Sequence, residues 1–303
     1  MKRKPGHRPG PAGSARTGAG GARLVLEDGV VFEGRGFGAR RPAAGEVVFT
    51  TGMVGYPEAL TDPSYRGQIL VFTYPTIGNY GVPPGPRTRT AGGSTPPRPW
   101  ESDRIHAAGV VVASASEGFS HYSAGRSLGD WLAEQGVPGI EGIDTRALTK
   151  RIRVEGAMLG RVEIPGRPAP AFDDPNRRNL AAEVSTGAVE RYGRGTPIVL
   201  IDCGKKNNQV RMLIDRGAEV RVVPWDHPLA TAPRDYAGVL VSNGPGDPRQ
   251  AAATIATLED LMRRRVPVLG ICLGHQLLSL AAGASTYKMK FGHRAHNQPA
   301  VDA

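Results

Sequence analysis

Val266-Pro267-Val268-Leu269-Gly270-Ile271-Cys272-Leu273-Gly274-His275-Gln276-Leu277-Leu278 is the stretch that decides the fold. The apolar run 266–271 predicts a short buried strand, and 273–282 predicts a helix that stops at Gly283. Between them stands Gly-x-Cys-x-Gly, a strand–turn–helix elbow with cysteine in the place where many hydrolases carry serine. Such a turn forces unusual backbone angles on its central residue. A glycine on either side leaves room for the turn and for a substrate. A thiol there sits at a helix N-terminus, where the dipole and the unbonded N–H groups favour the thiolate. The N–H of Leu273 is placed to donate to a developing oxyanion. A small buried core cysteine is the ordinary alternative. The paired glycines and the strand-then-helix context decide for a catalytic thiol at Cys272.

Working outward, the 303 residues suffice for two domains with cores of their own. No apolar run approaches the ~20 residues of a membrane span. Cys203 and Cys272 are the only cysteines, which argues against a disulfide framework and fits a reducing, cytoplasmic setting. The net charge of +10 suggests nucleic acid until its distribution is followed. Lys2, Arg3, Lys4, Arg8, Arg16 and Arg23 lie in an acid-free, Gly/Pro-rich segment over 1–23, read as a disordered basic tail. Arg87, Arg89 and Arg98 lie in a second low-complexity stretch, 82–99, read as an insert. Neither has the aromatic interleaving of a nucleic-acid face. Pro5, Pro9 and Pro11 spoil the amphipathic helix of a transit peptide.

From Leu24 the chain predicts a hairpin through Asp28-Gly29, strands at 46–50, 68–74 and 108–113, and a loop over 52–65. Helices are predicted over 127–135, with Leu128, Trp131 and Leu132 inward, and over 142–153. In the second, Asp144 is the N-cap, and Ala147, Leu148 and Ile152 form the apolar stripe. Residues 165–195 read as an inter-domain connection. From Pro197 strands and helices alternate: 198–202, 208–216, 219–224, 238–242, 251–264, then the elbow. Repeated βα units predict a doubly wound parallel sheet, with the site at the carboxyl ends of its strands. Ser242-Asn243-Gly244-Pro245-Gly246-Asp247-Pro248 follows one such strand, and its rigid loop can aim backbone N–H groups at an oxyanion.

Ser242-Asn243-Gly244-Pro245-Gly246-Asp247-Pro248 together with the elbow resembles the class I (triad) glutamine amidotransferases. Leu24-Val25-Leu26-Glu27-Asp28-Gly29, the stretch 45–49, and Thr51-Gly52-Met53-Val54-Gly55-Tyr56-Pro57 through Tyr65 resemble the small subunit of carbamoyl-phosphate synthetase. Asp202-Cys203-Gly204, the stretch 223–227 and the stretch 286–290 are most similar to the glutaminase region of the animal multifunctional pyrimidine protein. The resemblance implies an α/β fold with an α+β small-subunit domain over 24–164. A linker over 165–195 and an amidotransferase domain over 196–303 follow. It implies glutamine hydrolysis through a glutamyl thioester at Cys272, with oxyanion donors at Gly244 and Leu273. It also implies glutamine held by Ser64, Gly244, Gly246, Leu273 and Gln276. The ammonia would serve carbamoyl phosphate synthesis in the pyrimidine pathway, on a large synthetase subunit or domain that uses ATP, bicarbonate and Mg. No cofactor or metal is expected in this region, and neither nucleic acid nor membrane is expected as a partner.

The family's base, a histidine oriented by glutamate, comes from a His-x-Glu stretch that the resemblance places beyond Ala303. His275 is expected to pack or cap, and His293 and His296 fall in a non-catalytic loop. The chain is therefore expected to be an incomplete, truncated piece of a longer polypeptide with an uncovered sheet edge. A silent chain that only binds the synthetase is the alternative.

Overall fold

The structure, a computed structural model, describes residues 20–84, 95–96, 99–229 and 234–292. Most of the expected tail and of the 82–99 insert, and also His293 and His296, lie outside the described residues.

The first half is a closed seven-stranded barrel built with strands β1 (Gly21–Leu26), β2 (Val31–Gly38), β3 (Ala43–Thr50) and β4 (Gln68–Phe72). A short ribbon of β5 (Thr76–Ile77) and β7 (Ser114–Ala115) flanks β6 (Gly109–Val111). β8 (Pro138–Glu141) and β9 (Met158–Glu163) complete the barrel, in the order β1-β2-β8-β6-β4-β3-β9. β3, β4, β6 and β8 run parallel, and antiparallel pairings of β1, β2 and β9 close the ring. β1 starts at Gly21, inside the expected tail, because Arg23 reaches Glu163 on β9 at 2.7 Å and Ala22 is buried. Residues 52–65, expected as loop, hold α1 (Tyr56–Leu60) and a 3-10 turn at Pro63–Tyr65. Val82, expected in the insert, is fully buried and bridges Arg126.

Helix α2 (Leu128–Glu134) starts where the Ser127 hydroxyl accepts the Asp130 N–H at 3.0 Å. It buries Leu128, Trp131 and Leu132. Helix α3 (Thr145–Glu155) starts where Asp144 accepts the Ala147 N–H at 2.8 Å. Leu148 and Ile152 face the barrel core as expected, but Ala147 is exposed and Thr145 takes the third inward place. A residue two beyond Thr145 on a 3.6-residue turn points the other way.

Residues 165–195 are more than a connection. Helix α4 (Leu180–Val184) and strand β10 (Glu190–Gly193) lie within them, and β10 pairs antiparallel with β12 of the second sheet. That sheet has the order β10-β12-β11-β13-β14, with β11 (Thr196–Asp202), β12 (Ala218–Pro224), β13 (Gly238–Val241) and β14 (Val268–Gly270) parallel. Helix α5 (Asn207–Ile214) covers one face, over Leu200, Val220, Val222 and Leu240. Helices α6 (Ala252–Arg263) and α7 (Leu273–Ala281) cover the other, over Val199, Ile201, Val239 and Val241. Side chains alternate between the two faces, so each strand needs a helix on both sides. β14 is not the buried strand the sequence predicts. Among the described residues it is an edge strand, and Leu269, paired with Leu240, is 64% exposed.

Candidate active site

β13 and β14 are neighbouring parallel strands, so the loop after one and the elbow after the other open at the same edge. Cys272 is the N-cap of α7, with φ 55° and ψ −111°. This left-handed conformation is unusual for a residue with a Cβ and stores about 1–3 kcal/mol of strain. The surroundings hold it there. Ile271 donates its N–H to Val241 O at 3.0 Å, and Gly274 donates to Ser242 O at 3.0 Å. The flanking glycines follow from this tight crossing. A Cβ on Gly270 would lie 2.4 Å from Gly274 O, and one on Gly274 would lie 2.3 Å from Val241 O. The Leu273 amide is the first of α7 and has no intrahelical acceptor by position.

The 242–248 loop leans on this elbow. Gly244 packs so closely that a Cβ would lie 2.0 Å from Cys203 O and 2.7 Å from Leu273 Cδ2. Gly246 has φ +85°, and Leu180 of α4 packs against it. Ser242 anchors the loop, its hydroxyl accepting the Cys203 N–H at 2.9 Å and donating to Asn243 O at 2.7 Å. The Asp247 carboxyl is held below its ordinary range, chiefly by hydrogen bonds from Arg249.

Asn243, which the sequence reading passes over, carries the barrel to this loop. Its amide donates to Ser64 Oγ at 2.8 Å and to Asp62 Oδ1 at 3.2 Å, and its carbonyl accepts the Lys206 N–H at 3.1 Å. Asp62 caps the turn that presents Ser64, accepting the Ser64 N–H at 2.9 Å, and pairs with Lys206 Nζ at 2.7 Å. Burial opposes the Lys206 charge, but the Asp62 carboxylate outweighs it and raises the ammonium above its ordinary value. The Asp62-Pro63 pair was a readable N-cap signal. The contact across 179 residues was not.

The structure thus joins Ser64 to Gly244 through Asn243, and packs Gly244 against the side chain of Leu273, the residue after Cys272. Gln276 lies one turn along α7, exposed, with its N–H on Cys272 O at 3.1 Å. His275 neither packs nor caps: its side chain is exposed, because its position on α7 points away from the sheet. Among the described residues no cluster of His, Cys, Asp or Glu is spaced for a metal, and no helix is long and apolar enough to cross a membrane.

The two cysteines differ in kind. Cys203 is buried and its thiol is pushed up to about 12, first by burial. Cys272 is exposed. Iodoacetamide at pH 8 is expected to alkylate the folded protein once, at Cys272. Modification of Cys203 at a similar rate, read by peptide mass spectrometry, would contradict this geometry.

A strained cysteine at a strand-to-helix elbow, facing a Gly-Pro-Gly loop on a parallel sheet, defines the class-I glutamine amidotransferases, and residues 199–303 match that family. Residues 24–162 match the carbamoyl-phosphate synthase small chain, CPSase domain. The chain belongs to the carbamoyl-phosphate synthase small-chain family. It is 46% identical over 306 residues to the carbamoyl phosphate synthase arginine-specific small chain of Yarrowia lipolytica, covering 96% of this chain and 68% of that one. It is 48% identical to the arginine-specific small chain of Neosartorya fischeri, covering 95% of this chain and 64% of that one. It is likewise 48% identical to the multifunctional protein pyrABCN of Emericella nidulans, covering 95% of this chain. The chain therefore spans about two thirds of these small chains and 14% of the multifunctional protein.

Proposed function

We propose that this chain hydrolyses glutamine at Cys272 and supplies the ammonia for carbamoyl phosphate synthesis. The observation that carries the reading is the backbone of Cys272, held at φ 55° with Gly244 packed against the first residue of α7. The thiolate attacks the carboxamide carbon, and the carbonyl electron pair moves to oxygen between the N–H groups of Gly244 and Leu273. Collapse expels ammonia with one added proton and leaves a glutamyl thioester, which water cleaves to glutamate and the free thiol. Ser64, Gly246 and Gln276 hold the amino-acid end, where a hydroxyl and an amide suit a carboxylate and an ammonium. The partner is a large synthetase chain or domain, which brings ATP, bicarbonate and Mg to the ammonia. The setting is the cytoplasm, in keeping with a sequence that has only two cysteines.

For the pathway, the motif details over 202–204, 223–227 and 286–290 favour pyrimidine synthesis, in line with the likeness to pyrABCN. The arginine-specific relatives favour the arginine pathway as the second reading. A chain that binds the synthetase without hydrolysing glutamine is the third.

The test is to treat the native protein with a diazoketone analogue of glutamine and measure its intact mass. One adduct on Cys272, blocked by glutamine, is the expected result. An adduct elsewhere, or none while the synthetase partner still binds, sinks the glutaminase reading in favour of the silent chain. The same mass shows whether synthetase and glutaminase share a polypeptide, as they would in a pyrABCN-like protein.

A further inference from the structure

We propose that the barrel carries a second ligand site, a cleft beside α3 that takes a small phosphate-bearing anion. It does not rest on the reading of Cys272. Thr51 and Thr73 directly follow β3 and β4, which are adjacent and parallel. They therefore stand at strand carboxyl ends, where sheets of this kind gather ligands. Facing them on α3 are Arg146, Thr149, Lys150 and Arg153, at positions i, i+3, i+4 and i+7 of one helix face. These six residues line a cavity of about 310 Å³, and none is acidic. That volume suits a small molecule.

Among the described residues nothing compensates the charges around the cleft. Among the described residues, Arg146, Lys150 and Arg153 have no carboxylate within ion-pair distance, and Arg153 has only the Phe291 ring at 6.0 Å. The neighbouring cation Arg151, which is not among the lining residues, does pair, with Asp28 Oδ2 at 2.5 Å. Like charges three and four residues apart on a helix repel each other, so the stripe weakens α3 unless something anionic sits against it. The Thr73 hydroxyl already donates to Thr50 O at 3.1 Å and the Thr149 hydroxyl to Thr145 O at 2.7 Å. The donors left for a ligand are the two guanidinium forks, the Lys150 ammonium and the Thr51 hydroxyl. A fork matches two phosphate oxygens at once, and the ammonium adds a compact charge.

The test is calorimetric titration of the full-length native protein with pyrophosphate and with citrate at fixed ionic strength. One saturable pyrophosphate site per chain is expected, weakened at least tenfold by R146Q/K150Q and unchanged by R263Q, an exposed arginine on α6. The altered residues are exposed, and the melting temperature of R146Q/K150Q without ligand should not fall, since repulsion is relieved. Absence of a saturable site, equal binding by R146Q/K150Q, or equal weakening by R263Q overturns the proposal. Citrate binding as tightly as pyrophosphate overturns the phosphate assignment. A phosphoserine peptide binding more tightly than pyrophosphate overturns the small-molecule assignment.

Discussion

Cys272→Ala should abolish glutamine hydrolysis in the native protein, with kcat falling by about 10⁴-fold or more, as when other enzymes of this logic lose their nucleophile. Synthesis from added ammonium salts should continue, because only the ammonia source is lost. Cys272→Gly should be as inactive yet more stable than Cys272→Ala. Alanine inherits the φ of 55° and its strain, whereas glycine adopts it freely. Strain relief of about 1–3 kcal/mol, less about 0.4–1 kcal/mol for the looser unfolded chain, leaves a net gain near 1 kcal/mol. Urea midpoints of the two variants check this. Equal midpoints would mean that the elbow relaxes without its cysteine and that the strain is not built into the frame.

Glu101→Ala should be the most destabilising single change at the junction of the two halves, by about 3–5 kcal/mol. Glu101 leaves the barrel side and reaches α5. Its Oε1 accepts from Arg211 at 3.1 Å, its Oε2 accepts the Asn208 N–H at 2.8 Å, and its backbone carbonyl accepts the Asn207 N–H at 2.8 Å. Lys206, the N-cap of α5, makes no side-chain cap, so a carboxylate from the other half caps the helix. Removing it takes a carboxylate away from the guanidinium of Arg211, which is only 4% exposed. Glu101→Leu with Arg211→Met should recover most of the loss, because removing both charges leaves neither uncompensated. A single variant within 1 kcal/mol of the parent in urea melts would show that water reaches Arg211.

The contrast between the two halves shows what a sequence displays. The elbow was legible because its requirements are local: two glycines for two close approaches and an apolar run on each side. α2 and α3 were legible through Ser127 and Asp144, which cap within three residues. β8 and β9 were not. Pro138-Gly139-Ile140-Glu141 and Met158 to Glu163 are short and broken by glycine, and they become strands through partners such as Arg35 and Val47, far away along the chain. Gly160 reads as a weak point in a strand, but a Cβ there would lie 2.4 Å from the Val47 side chain. Cys272, Gly244 and Leu273 could be read from their neighbours along the chain. Asn243, and the reach of Asp62 beyond its own turn, could not, because their meaning is a contact between two domains.

The barrel has one further consequence, for synthesis. Its ring closes only when β1 meets β9, with Arg23 opposite Glu163. At 5–20 residues per second the ribosome needs roughly 7–28 s to make the intervening chain. During that time the β1–β2 hairpin exists with one edge open and Leu24 and Leu26 unburied. Closing so long a loop early is slow, so the first-made strands wait for the last. The first half of this chain should fold late and all at once, and a stall before Glu163 should leave it a substrate for chaperones.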